Sequence, residues 1–397
     1  MGAMPSGVRN LFRAALVIFV VTVVIGILNG TDLWEPPRNT LLTHVHAGTL
    51  GWITLSIFAG AIWMFGSVED KSSNLLANLT IAALGLYVLA FWSVDLTTSS
   101  IQRPIGGTLA FITIVWMFVW VLRSHRGKKW TVTEYGMALA LLFLVIGAVL
   151  GVALGLQLAE IEIVSPENAD ALGGAHPAAM VVGYVILSGV ALVEWLIRGG
   201  RGPSLGESKA GAVQMTLIFL AGLLAMLGVL LDNDAMLQAN VPLEVIGLLI
   251  LVWRLRSFLA PSQWGGTLPG TMARTAVLGL IVGVALFTYV VSLFVSGADF
   301  EDEIIPVLVA VDHINFIMVM TNLIFAMMAS ASLVSTAANR LIYWGMNIGV
   351  AGFAVGLFTE TAEVKRVFTP ILGLSLLYGI YTYLSAKSAE TVSTVAV

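Results

Sequence analysis

The chain has 397 residues, of which 58% are hydrophobic and only 11% are charged, with a formal net charge of −4 and a mean hydropathy of +0.95. Soluble domains average about 25% charged residues, so this composition excludes an ordinary soluble domain, and its acidic balance predicts no nucleic-acid partner. The absence of cysteine excludes disulfides, thiolate metal ligands, iron–sulfur clusters and covalently attached c-type haem.

Apolar runs of about twenty residues recur along the chain, and each is long enough to cross a bilayer as a helix. We predict an all-α polytopic membrane protein, with 1–397 as a single membrane domain of twelve transmembrane helices. The predicted spans are 11–29, 44–66, 75–94, 105–122, 134–157, 174–197, 211–231, 241–259, 272–296, 309–334, 340–358 and 367–386.

The placement of basic residues predicts the orientation of these spans, because cytoplasmic loops are enriched in Lys and Arg. With the N-terminus inside, fifteen of the nineteen basic residues lie in cytoplasmic segments, including Arg201 and Lys387. Both termini are therefore predicted to be cytoplasmic, in a cytoplasmic membrane of the bacterial type. Residues such as Glu167 and Glu301 then lie outside. The basic residues left outside are Arg38, Arg103, Lys365 and Arg366.

Three of the five histidines open apolar runs at nearly even spacing. His44, His176 and His313 follow one another at intervals of 132 and 137 residues. Such a period indicates a repeated structural unit, so we predict three four-helix arcs with the histidines at the outer ends of spans two, six and ten. The repeat units are 1–130, 131–265 and 266–397.

The first two of these runs match further. In THVHAGTLGWITLSIFAGAIW and AHPAAMVVGYVILSGVALVEW, a glycine and a tryptophan follow the histidine at the same offsets. The matching pairs are Gly51 with Gly183 and Trp63 with Trp195.

Ionisable side chains at membrane depth are costly and indicate function. His44 and His46 stand two residues apart, about 200° around a helix, so one is expected to face the bundle and the other a loop or a neighbouring helix. The repeat favours His44 as the inward residue and leaves His46 open. Pro177 suits the first turn of a helix, and Asp312 could orient His313 or cap its helix. An interfacial histidine bonded to a loop is the alternative for each.

Imidazoles that converge in an apolar site without cysteine suit haem iron, copper or zinc. Two opposed histidines would hold a haem, whereas three around one ion would hold copper or zinc. Haem also needs cations near its propionate groups. The candidates are Arg38, Arg103, Lys365 and Arg366.

The segments TLLTHVHAGTLGW, GAHPAAM and VDHINFIMVMTN resemble spans two, six and ten of subunit I of the haem–copper oxidase superfamily, including its cbb3-type and nitric oxide reductase branches. The chain is also similar to NnrS-type membrane proteins, which are associated with nitric oxide metabolism. The resemblance implies that spans two and ten supply haem ligands, that His176 is a copper ligand, and that Lys365 and Arg366 contact the propionates.

The chain departs from the oxidase pattern at the copper site. Span seven, AVQMTLIFLAGLLAMLGVLL, lacks the paired histidines of the family, and Met180 stands where many oxidases have a tyrosine. Span ten has His313 alone, with Val311 and Asn315 at the spacing of the family's second histidine. An incomplete copper site argues against a proton-pumping oxidase.

The leading hypothesis is therefore a haem-binding membrane protein with one haem b between His44 or His46 and His313, and with His176 on the same pocket. It would transfer electrons, or bind or reduce nitric oxide or oxygen as an oxidoreductase. A cytochrome, a cupredoxin or an oxidase-type small subunit would be its partner. One alternative is a haem-free copper or zinc site formed by the four outer histidines. Another is a transporter or a structural accessory subunit on an oxidase-like scaffold.

Overall fold

The computed structural model describes residues 4–66, 71–93, 101–165, 168–200, 202–264, 266–332 and 334–386. Within these ranges the chain is helical, with twelve helices that are long and apolar enough to cross a membrane. The prediction of an all-α, multi-pass membrane protein with twelve spans is confirmed. Glu167, Arg201 and Lys387, which entered the orientation argument, lie outside the described residues.

In chain order the helices are α1 (Ser6–Gly30), α2 (Arg38–Phe65), α3 (Lys71–Trp92), α4 (Gln102–His125), α5 (Val132–Leu158), α6 (Ala169–Ile197), α7 (Lys209–Leu230), α8 (Asp234–Leu259), α9 (Leu268–Ser296), α10 (Phe300–Ala331), α11 (Thr336–Phe358) and α12 (Ala362–Ser385).

Most helices begin several residues before the predicted spans, because their first turns are polar and hydropathy does not detect them. The largest difference is at α10, whose acidic first turn is capped by the side chain of Asp299. The prediction that the histidines open their helices is therefore wrong. His44, His176 and His313 lie six, seven and thirteen residues after the start of their helices. At about 3.6 residues per turn they lie about two to four turns from the start of their helices.

Helices α2, α6 and α10 form the centre of the molecule. Their most apolar windows are 78%, 78% and 56% buried, against 28–44% for the other spans. The three meet at Gly60 of α2, where a Cβ atom would lie 3.3 Å from Leu192 of α6 and 3.3 Å from Met327 of α10. Trp63 and Trp195, the matching tryptophans, contact each other edge to face with ring centroids 5.6 Å apart. The four-helix arcs and the orientation stay predictions.

Each central helix changes from α-helical to π-helical geometry just after its histidine. The π-helical segments are Ala47–Thr54, Ala179–Val185 and Ile314–Thr321. Such segments are rare and concentrate at functional sites. Their wider turn alters which side chains face a neighbouring helix. The hydropathy pattern gives no sign of them.

When α2 and α10 are aligned on their π-helical segments, the histidines correspond differently from the way the sequence spacing predicted. The segment in α2 begins directly after His46, and the segment in α10 begins directly after His313. Thr54 and Thr321 end these segments, and each donates a hydrogen bond to the carbonyl oxygen five residues earlier. His313 therefore has the position of His46, not the position of His44 that the sequence spacing predicted.

A buried hydrogen bond connects two of the π-helical segments. Trp52 Nε1 donates to Thr321 Oγ1 at 2.9 Å, and the Trp52 ring stacks on Phe19 of α1 with centroids 4.4 Å apart. Buried indole N–H groups need such a partner. The contact fixes α2 against α10 immediately below the histidines.

Candidate functional site

Four histidines near one end of the bundle share one hydrogen-bonding pattern. Each Nδ1 lies 2.8 Å from a backbone carbonyl oxygen. A carbonyl only accepts, so Nδ1 carries the hydrogen and Nε2 keeps its lone pair. Within the described part of the chain, no hydrogen bond involves these Nε2 atoms. This is the arrangement of metal-ligating histidines, whose other ring nitrogen is held by a backbone carbonyl or a carboxylate. The histidine cluster consists of His44, His46, His176 and His313.

Two members of the cluster are held by the preceding helix. His44 donates to the Thr22 carbonyl of α1, and His176 donates to the Gly147 carbonyl of α5. Four residues after each of these carbonyls stands a glycine packed on the imidazole. A Cβ at Gly26 would lie 3.0 Å from His44 Cε1, and a Cβ at Gly151 would lie 2.8 Å from His176 Cε1. These two histidines therefore have equivalent local environments.

The other two histidines are held by their own helices. His46 donates to the carbonyl oxygen of Leu42, and His313 donates to that of Val309, four residues earlier in each case. Each imidazole also packs on an aromatic ring from a neighbouring helix. The centroid separation is 3.9 Å between His46 and Phe91 and 4.7 Å between His313 and Phe353. Carbonyl and ring together fix the direction of each imidazole.

The four imidazoles form two pairs by electrostatic interaction. His313 of α10 interacts with His44 of α2, and His46 of α2 interacts with His176 of α6. His44 therefore interacts with α1 and α10, and His46 with α3 and α6. These contacts agree with the expectation that one of the two imidazoles packs on a neighbouring helix. All four imidazoles are only half-buried, unlike most of the central helices.

Arg103 lies beside the pair formed by His46 and His176. Its side chain is 5% exposed, and its Cζ lies 5.2 Å from the centroid of the Phe91 ring that stacks on His46. Arg103 Nε and Nη2 are buried without a hydrogen-bond partner in the described structure. The other cation within electrostatic reach of Arg103 is Arg38, at the start of α2. Two cations around unsatisfied N–H groups are arranged to receive an anion.

Lys365 and Arg366, the other predicted propionate contacts, already hold a carboxylate. Lys365 Nζ lies 2.8 Å and Arg366 Nε 2.7 Å from the two oxygens of Asp32, in the loop after α1. The hydrogen bonds from Lys365 and Arg366 lower the pKa of Asp32. The four predicted cations therefore form two groups. Arg38 and Arg103 have no carboxylate partner in the described structure, whereas Lys365 and Arg366 are paired with Asp32.

Two local expectations change. The role proposed for Asp312, to orient His313, belongs to the Val309 carbonyl. Pro177 lies inside α6 rather than in its first turn.

Other polar and aromatic groups were not identified from the sequence. Phe91 and Phe353 resemble other lipid-facing aromatics in the sequence, and only the fold places them on imidazoles. Glu244 of α8 is 2% exposed, and its Oε1 has no hydrogen-bond partner in the described structure. An isolated acid inside an apolar span was the available signal for Glu244.

No group of three or more histidine, aspartate or glutamate side chains among the described residues could hold one metal ion. The donors are arranged in twos. Comparison with known proteins gives no match: no family model matches the chain, and no curated protein is significantly similar to it. The resemblance to haem–copper oxidase subunit I therefore stays a prediction.

Proposed function

We propose that the chain is a membrane haem protein that holds a haem b between His44 and His313 and transfers electrons. One observation carries the proposal: each imidazole has its Nδ1 held by a backbone carbonyl, which leaves Nε2 unprotonated, and the two histidines interact electrostatically although they lie on different helices. The two helices that supply these ligands are tied together by the bond from Trp52 to Thr321. Such a frame keeps the ligands in place without depending on the haem itself.

The residues fit a haem better than a bare ion. The donors are neutral imidazoles in an apolar bundle without cysteine, which suits a b-type haem. A bare copper or zinc ion prefers three or four protein ligands, and the described residues form no such group. His44 and His313 would hold the haem from both sides, which would supply one-electron transfer and leave no ligand position for a gas. This favours electron transfer over the binding or reduction of nitric oxide or oxygen.

The wider setting follows from the same proposal. The chain would lie in a bacterial-type cytoplasmic membrane with its histidine cluster toward the outer face, where a cytochrome or cupredoxin could exchange electrons with it. It would represent a haem–copper-oxidase-like scaffold without a complete copper site. A transporter function is the alternative, and no arrangement of residues described above favours it over the haem site.

The test is an absorption spectrum of the purified protein before and after ligand replacement. We expect a Soret band and, on reduction, the sharp α-band of a six-coordinate b-type haem. His313→Ala should lose the contribution of the haem held by His44 and His313, and added imidazole should restore it by filling the vacated position, which also shows that the variant folds. His125→Gln is the matched control. His125 packs on Trp130 at the C-terminal end of α4, away from the histidine cluster. Protein that binds no haem on addition of haemin would refute the proposal.

A further inference from the structure

We propose that the chain holds a second haem, between His46 and His176, with Arg103 and Arg38 binding its propionate groups. This inference deepens the proposed function and rests on it. It differs from the sequence prediction, in which a single haem used His44 or His46 and left His176 without a partner.

The first argument is the duplication of the imidazole pair. His176 has the same carbonyl and glycine contacts as His44, and His46 has the same local bond as His313. Each pair therefore combines one histidine held by a preceding helix with one held by its own helix. If this combination suits a haem between α2 and α10, the same combination suits one between α2 and α6.

The second argument is the buried guanidinium of Arg103 beside this pair, which has no anionic partner in the described structure. A buried guanidinium with two unpartnered N–H groups is unfavourable unless an anion completes it. Arg103 Nε and Nη2 are such groups, and Arg38 adds a second positive charge nearby. A haem brings two carboxylates attached to an apolar ring. Such a molecule would satisfy Arg103 and Arg38 while its ring lies among His46, Phe91 and Tyr87, the aromatic neighbours of this pair.

The third argument is the arrangement of the two pairs. His44 and His46 are two residues apart on α2 and face opposite sides of it. Two haems on these ligands would be separated by a single helix. Electrons could then pass between them along the plane of the membrane, and α2 would serve both sites.

The experiment counts haem per chain and assigns each haem to its ligands. Pyridine haemochrome analysis of the purified, haemin-saturated protein should give two haems per chain. His176→Ala and His46→Ala should each give one haem, as should His44→Ala and His313→Ala. The double variant His176→Ala/His313→Ala should give none. Imidazole should restore the missing low-spin spectrum in each single variant, which excludes misfolding as the cause.

Arg103→Gln supplies a second readout. Removing a cation from a propionate should lower the reduction potential of one haem and leave the other unchanged in a redox titration. Arg123→Gln, an exposed arginine at the opposite end of the same helix, should change neither. One haem per chain with no effect of His176→Ala would overturn the second site and leave the first intact. A chain that binds no haem would overturn both. Equal potential shifts in Arg103→Gln and Arg123→Gln would also count against the propionate assignment.

Discussion

Two polar clusters lie near opposite ends of α6, and they differ in whether their hydrogen bonds are complete. Near its C-terminal end, Glu194 is fully buried and accepts from Arg254 through both carboxylate oxygens and from Arg198 at 3.0 Å. Arg254 also donates to Gln214 of α7 at 2.7 Å. Near the start of the helix, every Nε2 of the histidine cluster lacks a hydrogen-bond partner among the described residues. The Glu194 cluster consists of Glu194, Arg198, Gln214 and Arg254.

This difference distinguishes polar groups that stabilise the fold from polar groups that can bind a ligand. Buried charges that satisfy one another bind helices together and leave nothing for a ligand. Buried donors and acceptors that face one another without bonding are costly in an apolar bundle, and a bound group that completes them offsets that cost. The Glu194 cluster therefore explains how α6, α7 and α8 stay together, whereas the histidine cluster is the site on which the proposed function rests.

The largest effect on stability is expected at the Glu194 cluster. Glu194→Gln removes the charge but keeps the shape, which leaves Arg254, with a side chain only 4% exposed, without its counter-ion. Breaking a buried pair on one side costs about 3–5 kcal/mol. We expect a loss of that size in the free energy of unfolding measured in detergent, with unchanged haem content in the fraction that stays folded.

The matched control for this prediction is Glu162→Gln, which removes an exposed carboxylate from the loop after α5. It should leave stability unchanged within error. If the two variants were equally stable, the Glu194 cluster would not stabilise the fold. The contrast drawn between the Glu194 cluster and the histidine cluster would then be wrong.

A smaller effect, on haem affinity, is expected from displacing a histidine of the cluster from the backbone carbonyl that holds it. In Gly151→Ala the new methyl group would lie 2.8 Å from His176 Cε1, so the imidazole must move away from its carbonyl partner. Disturbing the support of a metal ligand costs about 10–100-fold in affinity. Haemin titration should show one site weakened by that factor. Gly173→Ala, where a Cβ meets no atom within 4 Å, should bind as the parent chain does.

The smallest effect is expected at the exposed pair on Asp32. Asp32→Asn should cost about 0.2–1 kcal/mol, as surface ion pairs do, and asparagine tolerates the positive φ of 56° at this position. Because the pKa of Asp32 is lowered below 3.8, its contribution is present above that pH and disappears as the pH falls through the folded-state value. Thermal melts of the two proteins should therefore converge in acid. A gap that persists unchanged there would contradict this assignment.

The sequence was sufficient for the fold class because hydropathy reports directly on membrane spans. Twelve apolar runs predicted twelve helices, and the even spacing of three histidines indicated the central helices on which they lie. Polar first turns escaped the hydropathy pattern, so the depth of His313 in α10 was underestimated. Sequence spacing alone also could not show the π-helical segments, which shift His313 into the position of His46.

The cations show a different limit of sequence reasoning. Arg38, Arg103, Lys365 and Arg366 all stood near helix ends on the predicted outer side, and only the resemblance to the oxidase family singled out two of them, Lys365 and Arg366. Asp32 decides which two are already paired, and it is 333 residues from Lys365. Which cations remain open is therefore a property of the tertiary structure.

The central claim is that opposed histidines hold haem iron from both sides. Electron paramagnetic resonance of the oxidised, purified protein tests it most directly, because the spectrum of ferric haem reports its axial ligands. The account predicts low-spin signals of the bis-imidazole type that disappear from one haem in His313→Ala and return with added imidazole. A haem that is high-spin in the parent protein, or a low-spin spectrum that His44→Ala and His313→Ala leave unchanged, would contradict it.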